Sequence, residues 1–203
     1  MRVMLVLRSS DKFSRKDVEL IAPHILRWGV ELYCLTDTPL NIEGVNEIPM
    51  TNKWPGWWAR MEMYAPHMAR YRPFLYVDLD TAILGDISEL KPENEQMYIP
   101  LEDFYQRGKL ATGLLWLPES GKTHQVWHRW AKHTPYNSRR MDYFLRRVVK
   151  PDVFWQQLTP KVVSFKPRGW LKDPGDAIAV CFHGKPSIRE AADTIQWVKD
   201  YVG

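Results

Sequence analysis

Short blocks of uninterrupted apolar residues alternate along this chain with longer stretches in which apolar positions recur every three or four residues. Val3–Leu7 is the first block and predicts a strand covered on both faces. Ser14-Arg15-Lys16-Asp17 has the spacing of a helix start and leads into the periodic stretch Val18–Trp28, after which Leu32–Leu35 predicts a second strand. Strand, helix and strand at this spacing imply a right-handed crossover and a mainly parallel sheet. A short strand is expected near Val45–Ile48, a turn at Trp54-Pro55-Gly56, and a helix over Trp57–Ala65 that Pro66 stops. Further strands are expected at Phe74–Val77, Met97–Leu101, Gly113–Leu117, Val162–Phe165 and Ile178–Phe182, with helices over Gly121–Lys132 and Asp142–Val149. Ser187-Ile188-Arg189-Glu190 has capping-box spacing ahead of a last helix, Ala191–Tyr201. No repeat, low-complexity tract or long linker interrupts this order, which points to one α/β domain over residues 1–203.

Composition narrows the class only a little. The 203 residues are 45% hydrophobic and 26% charged, ordinary for a globular protein, and no window approaches the roughly 18 apolar residues of a membrane span. Arg8-Ser9-Ser10 ends the first apolar run too early for a secretion signal, so a cytoplasmic protein is expected. Cys34 and Cys181 lie in strand-like runs and are expected as buried free thiols. The net charge of +4 favours an anionic ligand in general, with nucleotides, nucleic acid and anionic lipid all compatible.

Two segments carry chemistry. Asp78-Leu79-Asp80 places two carboxylates where an apolar strand runs out into a loop; on a continuing strand they share a face and suit Mg²⁺ or Mn²⁺. A strand-end turn with solvated acids accounts for the same tripeptide. Sheets covered on both faces bind ligands at strand carboxyl ends, which favours the metal reading. Cys181-Phe182-His183-Gly184-Lys185-Pro186 passes from a strand to the start of the last helix. There the helix start offers free N–H groups, Gly184 permits close approach of a ligand, Lys185 adds a positive charge and His183 offers a metal-ligating nitrogen, the parts of a phosphate-binding corner; a strand-end His-Gly-Lys without that role accounts for the same residues.

Phe74–Ser88 (FLYVDLDTAILGDIS), Ala111–Leu117 (ATGLLWL) and Phe182–Pro186 (FHGKP), in this order, resemble the GT-A-fold glycosyltransferases, closest to the family 8 type. Tyr33–Asp37 (YCLTD) and Lys53–Tyr64 (KWPGWWARMEMY) extend the resemblance over most of the chain. It implies one GT-A, Rossmann-like domain with a mainly parallel mixed central sheet flanked by helices. It also implies a metal-dependent transfer of a hexose, with retention, from a nucleoside-diphosphate sugar such as a UDP-sugar to a carbohydrate or glycoconjugate acceptor, with no nucleic acid among the partners. By resemblance Asp78, Asp80 and His183 hold Mn²⁺ (or Mg²⁺), and Lys185 contacts the diphosphate. Arg60 stands where the family usually has a donor-contacting lysine, and Leu7, Arg8, Phe13 and Asp37 border the nucleotide base. Ala111-Thr112-Gly113 replaces a sugar-contacting N-S-G type stretch, placing Thr112, Gly113 and Gly184 at the donor, and Asp142 in Arg140-Met141-Asp142-Tyr143 stands for an acidic signature that contacts sugar or acceptor. Glu102, Asp103 and Asp142 are the candidates for an acceptor-side base.

Other signals are weaker. Gly121-Lys122-Thr123 lacks the upstream glycine of a triphosphate-binding loop, since position 116 is Trp116. His124 and His128 lack the glutamate of a metalloprotease helix, where Gln125 stands. Trp57 and Trp58, beside a Pro-Gly turn, are the tryptophans best placed to stack on a base or sugar. Arg139-Arg140 and Arg146-Arg147 are expected on a solvated face, with an anionic acceptor as the lesser reading. The rival functions are a nucleotidyltransferase, a nucleic-acid-binding module and a carbohydrate-binding protein without turnover.

Overall fold

A computed structural model describes residues 1–133, 140–166 and 169–203. Its main sheet has six strands, β1 (Arg2–Leu7), β2 (Glu31–Thr36), β3 (Val45–Pro49), β4 (Phe74–Val77), β6 (Ile99–Glu102) and β7 (Leu110–Leu117), in the order β3-β2-β1-β4-β7-β6. The first four run parallel, while β7 is antiparallel to both β4 and β6. A second sheet, β5 (Thr81–Ile83), β9 (Ala179–Cys181) and β8 (Val162–Ser164), lies in the order β5-β9-β8.

Side-chain alternation explains why the first strands read as solid apolar blocks. Val3, Leu5 and Leu7 of β1 face one core, shared with Val18, Ile21, Ala22 and Ile25 of α1 (Arg15–Leu26). Met4 and Val6 face a second core, built with Trp58, Met61, Tyr76, Trp130 and Phe144 from the opposite side. A third cluster packs Phe165, Val180 and Phe182 against Ile188, Ala191, Val198 and Tyr201. Cys34 and Cys181 are buried free thiols, as expected. No described helix is long and apolar enough to cross a membrane.

Four local expectations are corrected. The segment after Pro55 is not α-helical but a 3₁₀ helix, Gly56–Tyr64, and Pro66 starts a second one, Pro66–Tyr71, where its missing N–H costs nothing. The last helix is two helices, α5 (Ile188–Ala192) and α6 (Gln196–Val202), because Asp193-Thr194-Ile195 favours breaks and the backbone at Ile195 is extended. Trp58 is buried and stacked on Trp130 at 5.1 Å between centroids, so it is core rather than a platform. Arg146 is half-buried and paired with Asp103 rather than solvated; Arg139 lies outside the described residues. The remaining helices are α2 (Gly121–His133), α3 (Met141–Val148) and α4 (Trp155–Leu158).

Candidate active site

Asp78 and Asp80 do not continue a strand. β4 ends at Val77, and residues 78–81 form a turn closed by the Thr81 amide donating to the Asp78 carbonyl at 3.0 Å. The turn is held from both sides: the Asp78 amide donates to the Gly113 carbonyl of β7 at 3.0 Å, and the Phe182 amide, just beyond β9, donates to the Asp80 carbonyl at 2.9 Å. Two sheets therefore meet at this turn. The two carboxylates are placed by turn geometry and by neighbours distant in sequence.

Each carboxylate has cationic company. Asp78 Oδ2 accepts from Arg60 Nη1 at 2.8 Å, and its Oδ1 accepts the Leu79 amide at 3.0 Å. Burial raises the Asp78 pKa, opposed by Arg60 and reinforced by Asp80. Burial opposes the charge on Arg60, yet the Tyr76 hydroxyl and the carboxylates of Asp78 and Asp142 prevail and its pKa lies above the ordinary value. Asp80 Oδ2 accepts the Gly184 amide at 3.1 Å and lies 3.6 Å from Lys12 Nζ. Among the described residues no donor reaches Asp80 Oδ1.

His183 and Gly184 both have left-handed backbones, with φ of 55° and 89°, and this bends the chain so that the Gly184 amide meets Asp80. The ammonium of Lys166 braces the bend, donating to the carbonyls of His183, at 2.9 Å, and of Lys185. His183 Nε2 is buried without a hydrogen-bond partner, and its ring packs 5.1 Å from Phe104. Burial, then the Lys166 charge, lowers its pKa to about 4, so the imidazole is neutral across the physiological range.

The donor set fits a divalent cation in kind: two carboxylates, of which Asp80 has an open oxygen, and a buried neutral imidazole nitrogen that lacks a partner. It is not gathered into a preformed cage, for among the described residues no three His, Cys, Asp or Glu side chains stand close enough to hold an ion.

A pocket of about 160 Å³ opens beside Asp78, walled by Arg8, Lys12, Phe13, Trp57 and Arg60. Trp57 is 47% exposed. Arg8 Nη1 pairs with Asp37 Oδ2 at 3.3 Å, while Asp37 Oδ1 accepts the Ser9 amide and hydroxyl, each at 2.9 Å; Asp37 thus fixes the loop after β1. Leu7 is fully buried at the end of β1. Thr112 Oγ1 donates to Asp142 Oδ1 at 2.6 Å, joining β7 to the first turn of α3.

Other expected residues sit elsewhere. Lys185 is directed into solvent, its side chain 92% exposed and its ammonium 3.7 Å from Glu190. The helix start after it is self-capped, Ser187 Oγ accepting the Glu190 amide and Glu190 Oε2 accepting the Ser187 amide, so those groups are not open to a phosphate. Gly113 is a packing glycine: a Cβ there would lie 3.2 Å from Leu101 Cδ1. Glu102 accepts the Gly108 amide within the hairpin before β7, and Asp103 ties that hairpin to Arg146 of α3. Lys12 and Lys166 are site residues that the sequence reading missed. Lys12 lies in the loop between Arg8 and Phe13 and carried no periodic or motif signal.

Solved structures share this arrangement of strands. The galactosyltransferase LgtC in complex with donor and acceptor sugar analogs superposes with a TM-score of 0.65, covering 99% of this chain and 94% of that one at 10% identity. The fold is that of the GT-A glycosyltransferases. WbbM, a bifunctional glycosyltransferase, matches this GT-A fold with a TM-score of 0.66 at 8% identity, over 98% of this chain and 50% of its own. A glycosyltransferase involved in glycosylation of the major capsid of PBCV-1 gives 0.56 at 14% identity, over 89% and 92%. No family model matches the chain, and no curated protein does.

Proposed function

We propose that this chain, as one catalytic domain over residues 1–203, is a metal-dependent glycosyltransferase that moves a hexose from a nucleoside-diphosphate sugar, a UDP-sugar by resemblance, to a carbohydrate or glycoconjugate acceptor. The observation that carries the reading is the turn bearing Asp78 and Asp80, tied through Gly184 to the corner that holds His183, next to a pocket with three cationic side chains. That combination suits a diphosphate better than a lone acidic turn does.

Asp78, Asp80 and His183 are the residues that would hold Mn²⁺ or Mg²⁺. When bound, such an ion supplies positive charge to the leaving diphosphate. Around it, Arg60 and Lys12 are placed to neutralise phosphate oxygens, and the planar guanidinium of Arg60 suits bidentate contact. The pocket face of Phe13 and the half-exposed ring of Trp57 offer apolar surface for the base or the sugar, and the Asp37-Arg8-Ser9 linkage fixes the loop beneath them. Thr112 stands at the donor sugar by resemblance, and Asp142, which accepts its hydroxyl, would orient a hydroxyl of the sugar or acceptor. Lys185 reaches the diphosphate only by leaving Glu190, which its exposure permits. Retention of configuration follows from the family 8 resemblance.

Incubation with a panel of UDP-sugars and Mn²⁺, following release of the nucleoside diphosphate, tests this reading. Release with one or two donors, abolished by chelator, supports it. Tight binding of single-stranded nucleic acid without any response to nucleoside diphosphate and Mn²⁺ contradicts it.

A further inference from the structure

A second cleft, of about 520 Å³, lies apart from the donor pocket and shares no lining residue with it. It is walled by the hairpin leading into β7, one side of α2, and the C-terminal half of α3 with the segment after it. Lys109, Lys122, Arg146, Arg147 and Lys150 all line it, and no described Asp or Glu does. Two of these cations are already used. Lys122 pairs with Asp152, and Arg146 pairs with Asp103 at 2.6 Å while donating to the Leu110 carbonyl at 2.7 Å, which fastens the wall of the cleft. Lys109, Arg147 and Lys150 are exposed and have no carboxylate partner among the described residues. Unpaired like charges around one concavity repel one another and raise the local concentration of anions.

The cleft is also placed to matter. The helix that carries Asp142 toward Thr112 at its first turn presents Arg146 and Arg147 to the cleft one turn later. At 1.5 Å per residue the five steps from Asp142 to Arg147 span roughly 7–8 Å along the axis. An acceptor long enough to pass about 140° around the helix as well as along it would reach from one to the other. The concave shape, and the absence of cleft-lining side chains among the exposed large hydrophobics, suit a compact anion rather than a lipid surface.

We propose that this cleft is an acceptor subsite that binds an anionic substituent, a phosphate or carboxylate, through Lys109, Arg147 and Lys150. The assignment of the anion to an acceptor rests on the glycosyltransferase reading; binding of the anion does not. The test titrates wild-type protein, Arg147→Glu and the double variant Lys109→Ala/Lys150→Ala with inorganic phosphate, glucose 6-phosphate and glucose by calorimetry or NMR. UDP with Mn²⁺ is titrated in parallel, and thermal melting checks that the variants fold. The proposal expects saturable glucose 6-phosphate binding that glucose does not match, weakened at least tenfold in both folded variants, with UDP affinity unchanged. Equal glucose 6-phosphate affinity in all three proteins, or none in the wild type, overturns it. Binding to vesicles containing anionic phospholipid that the variants lose, with no response to glucose 6-phosphate, overturns it in favour of a lipid surface. Absence of UDP binding by the wild type with Mn²⁺ sinks the glycosyltransferase reading instead, and leaves the anion result to stand or fall by itself.

Discussion

The amide of Gly184 donates to Asp80 Oδ2 at 3.1 Å, so a residue near the chain's end positions a carboxylate 104 places before it. This bond gives the FHGKP segment a purpose that differs from the one its sequence suggests. Its helix start is closed by its own cap, and its lysine is in solvent. What it delivers to the acidic turn is a backbone donor and, beside it, a buried imidazole with a free nitrogen.

His183 and Lys185 are therefore expected to fail differently. His183→Ala should raise the Mn²⁺ concentration needed for activity, with partial rescue by excess ion. Lys185→Ala should slow turnover by about 10²–10³-fold with little change in metal requirement, if its side chain swings onto the leaving group. Mn²⁺ titrations of turnover for both variants check this. Unchanged turnover in Lys185→Ala means that the ammonium stays with Glu190.

Arg60→Ala should weaken UDP binding by about 10- to 100-fold, the worth of a charge-assisted hydrogen bond of about 1.5–3 kcal/mol. It also leaves Asp78 without its cation, so the Asp78 carboxyl should titrate still higher. Arg60→Lys should recover part of the affinity. Calorimetry on the three proteins checks the order; equal affinities would place Arg60 outside the donor site.

Much of the frame was legible because burial on both faces confines polar residues to the ends of β1 and β2, at Arg2, Glu31 and Thr36, and leaves none in β4. The site was legible as residues and not as geometry. Asp78 and Asp80 are separated by a turn rather than a pleat, since bonds from Gly113 and Phe182 hold that turn, and nothing local announces them. Lys12 and Lys166 act on partners 68 and 17 positions away or more, respectively Asp80 and the carbonyls of His183 and Lys185, and so no local pattern marks them. The split of the last helix turns on Asp193-Thr194-Ile195, whose weak helix preference an otherwise good amphipathic stretch conceals.

Glu62 is fully buried, accepting the Thr51 amide at 2.6 Å, the Thr51 hydroxyl at 2.7 Å and the Asn52 amide at 3.0 Å. Glu62→Gln should destabilise the fold by about 1–3 kcal/mol, because an amide cannot accept all of these donors and loses the charge. A urea melt would read this as a lower midpoint with an unchanged slope. A midpoint equal to wild type would mean that the 51–52 segment is held by other contacts.

His24 is half-buried, stacked on Tyr201 at 3.8 Å, with Nε2–H donating to the Tyr201 carbonyl at 2.9 Å. Burial holds its pKa below the ordinary 6.5. The unfolded chain thus binds more protons just below pH 6.5, and the stability present above that value is lost as pH falls toward the folded pKa. His183 acts in the same direction, so the comparison is with His24→Gln. Urea midpoints at about pH 7.5 and about pH 5.5 should fall further in the wild type than in the variant; equal falls would assign the pH dependence elsewhere.

Asp78 and Asp80 are expected to bind a nucleoside diphosphate through a divalent ion, and calorimetry of UDP with and without Mn²⁺ on the wild type, Asp78→Asn and Asp80→Asn measures this. Wild-type binding should require Mn²⁺, and each variant should lose that metal-dependent binding while its melting temperature stays near wild type. Equal wild-type affinity in chelator, or unchanged affinity in both variants, would contradict it.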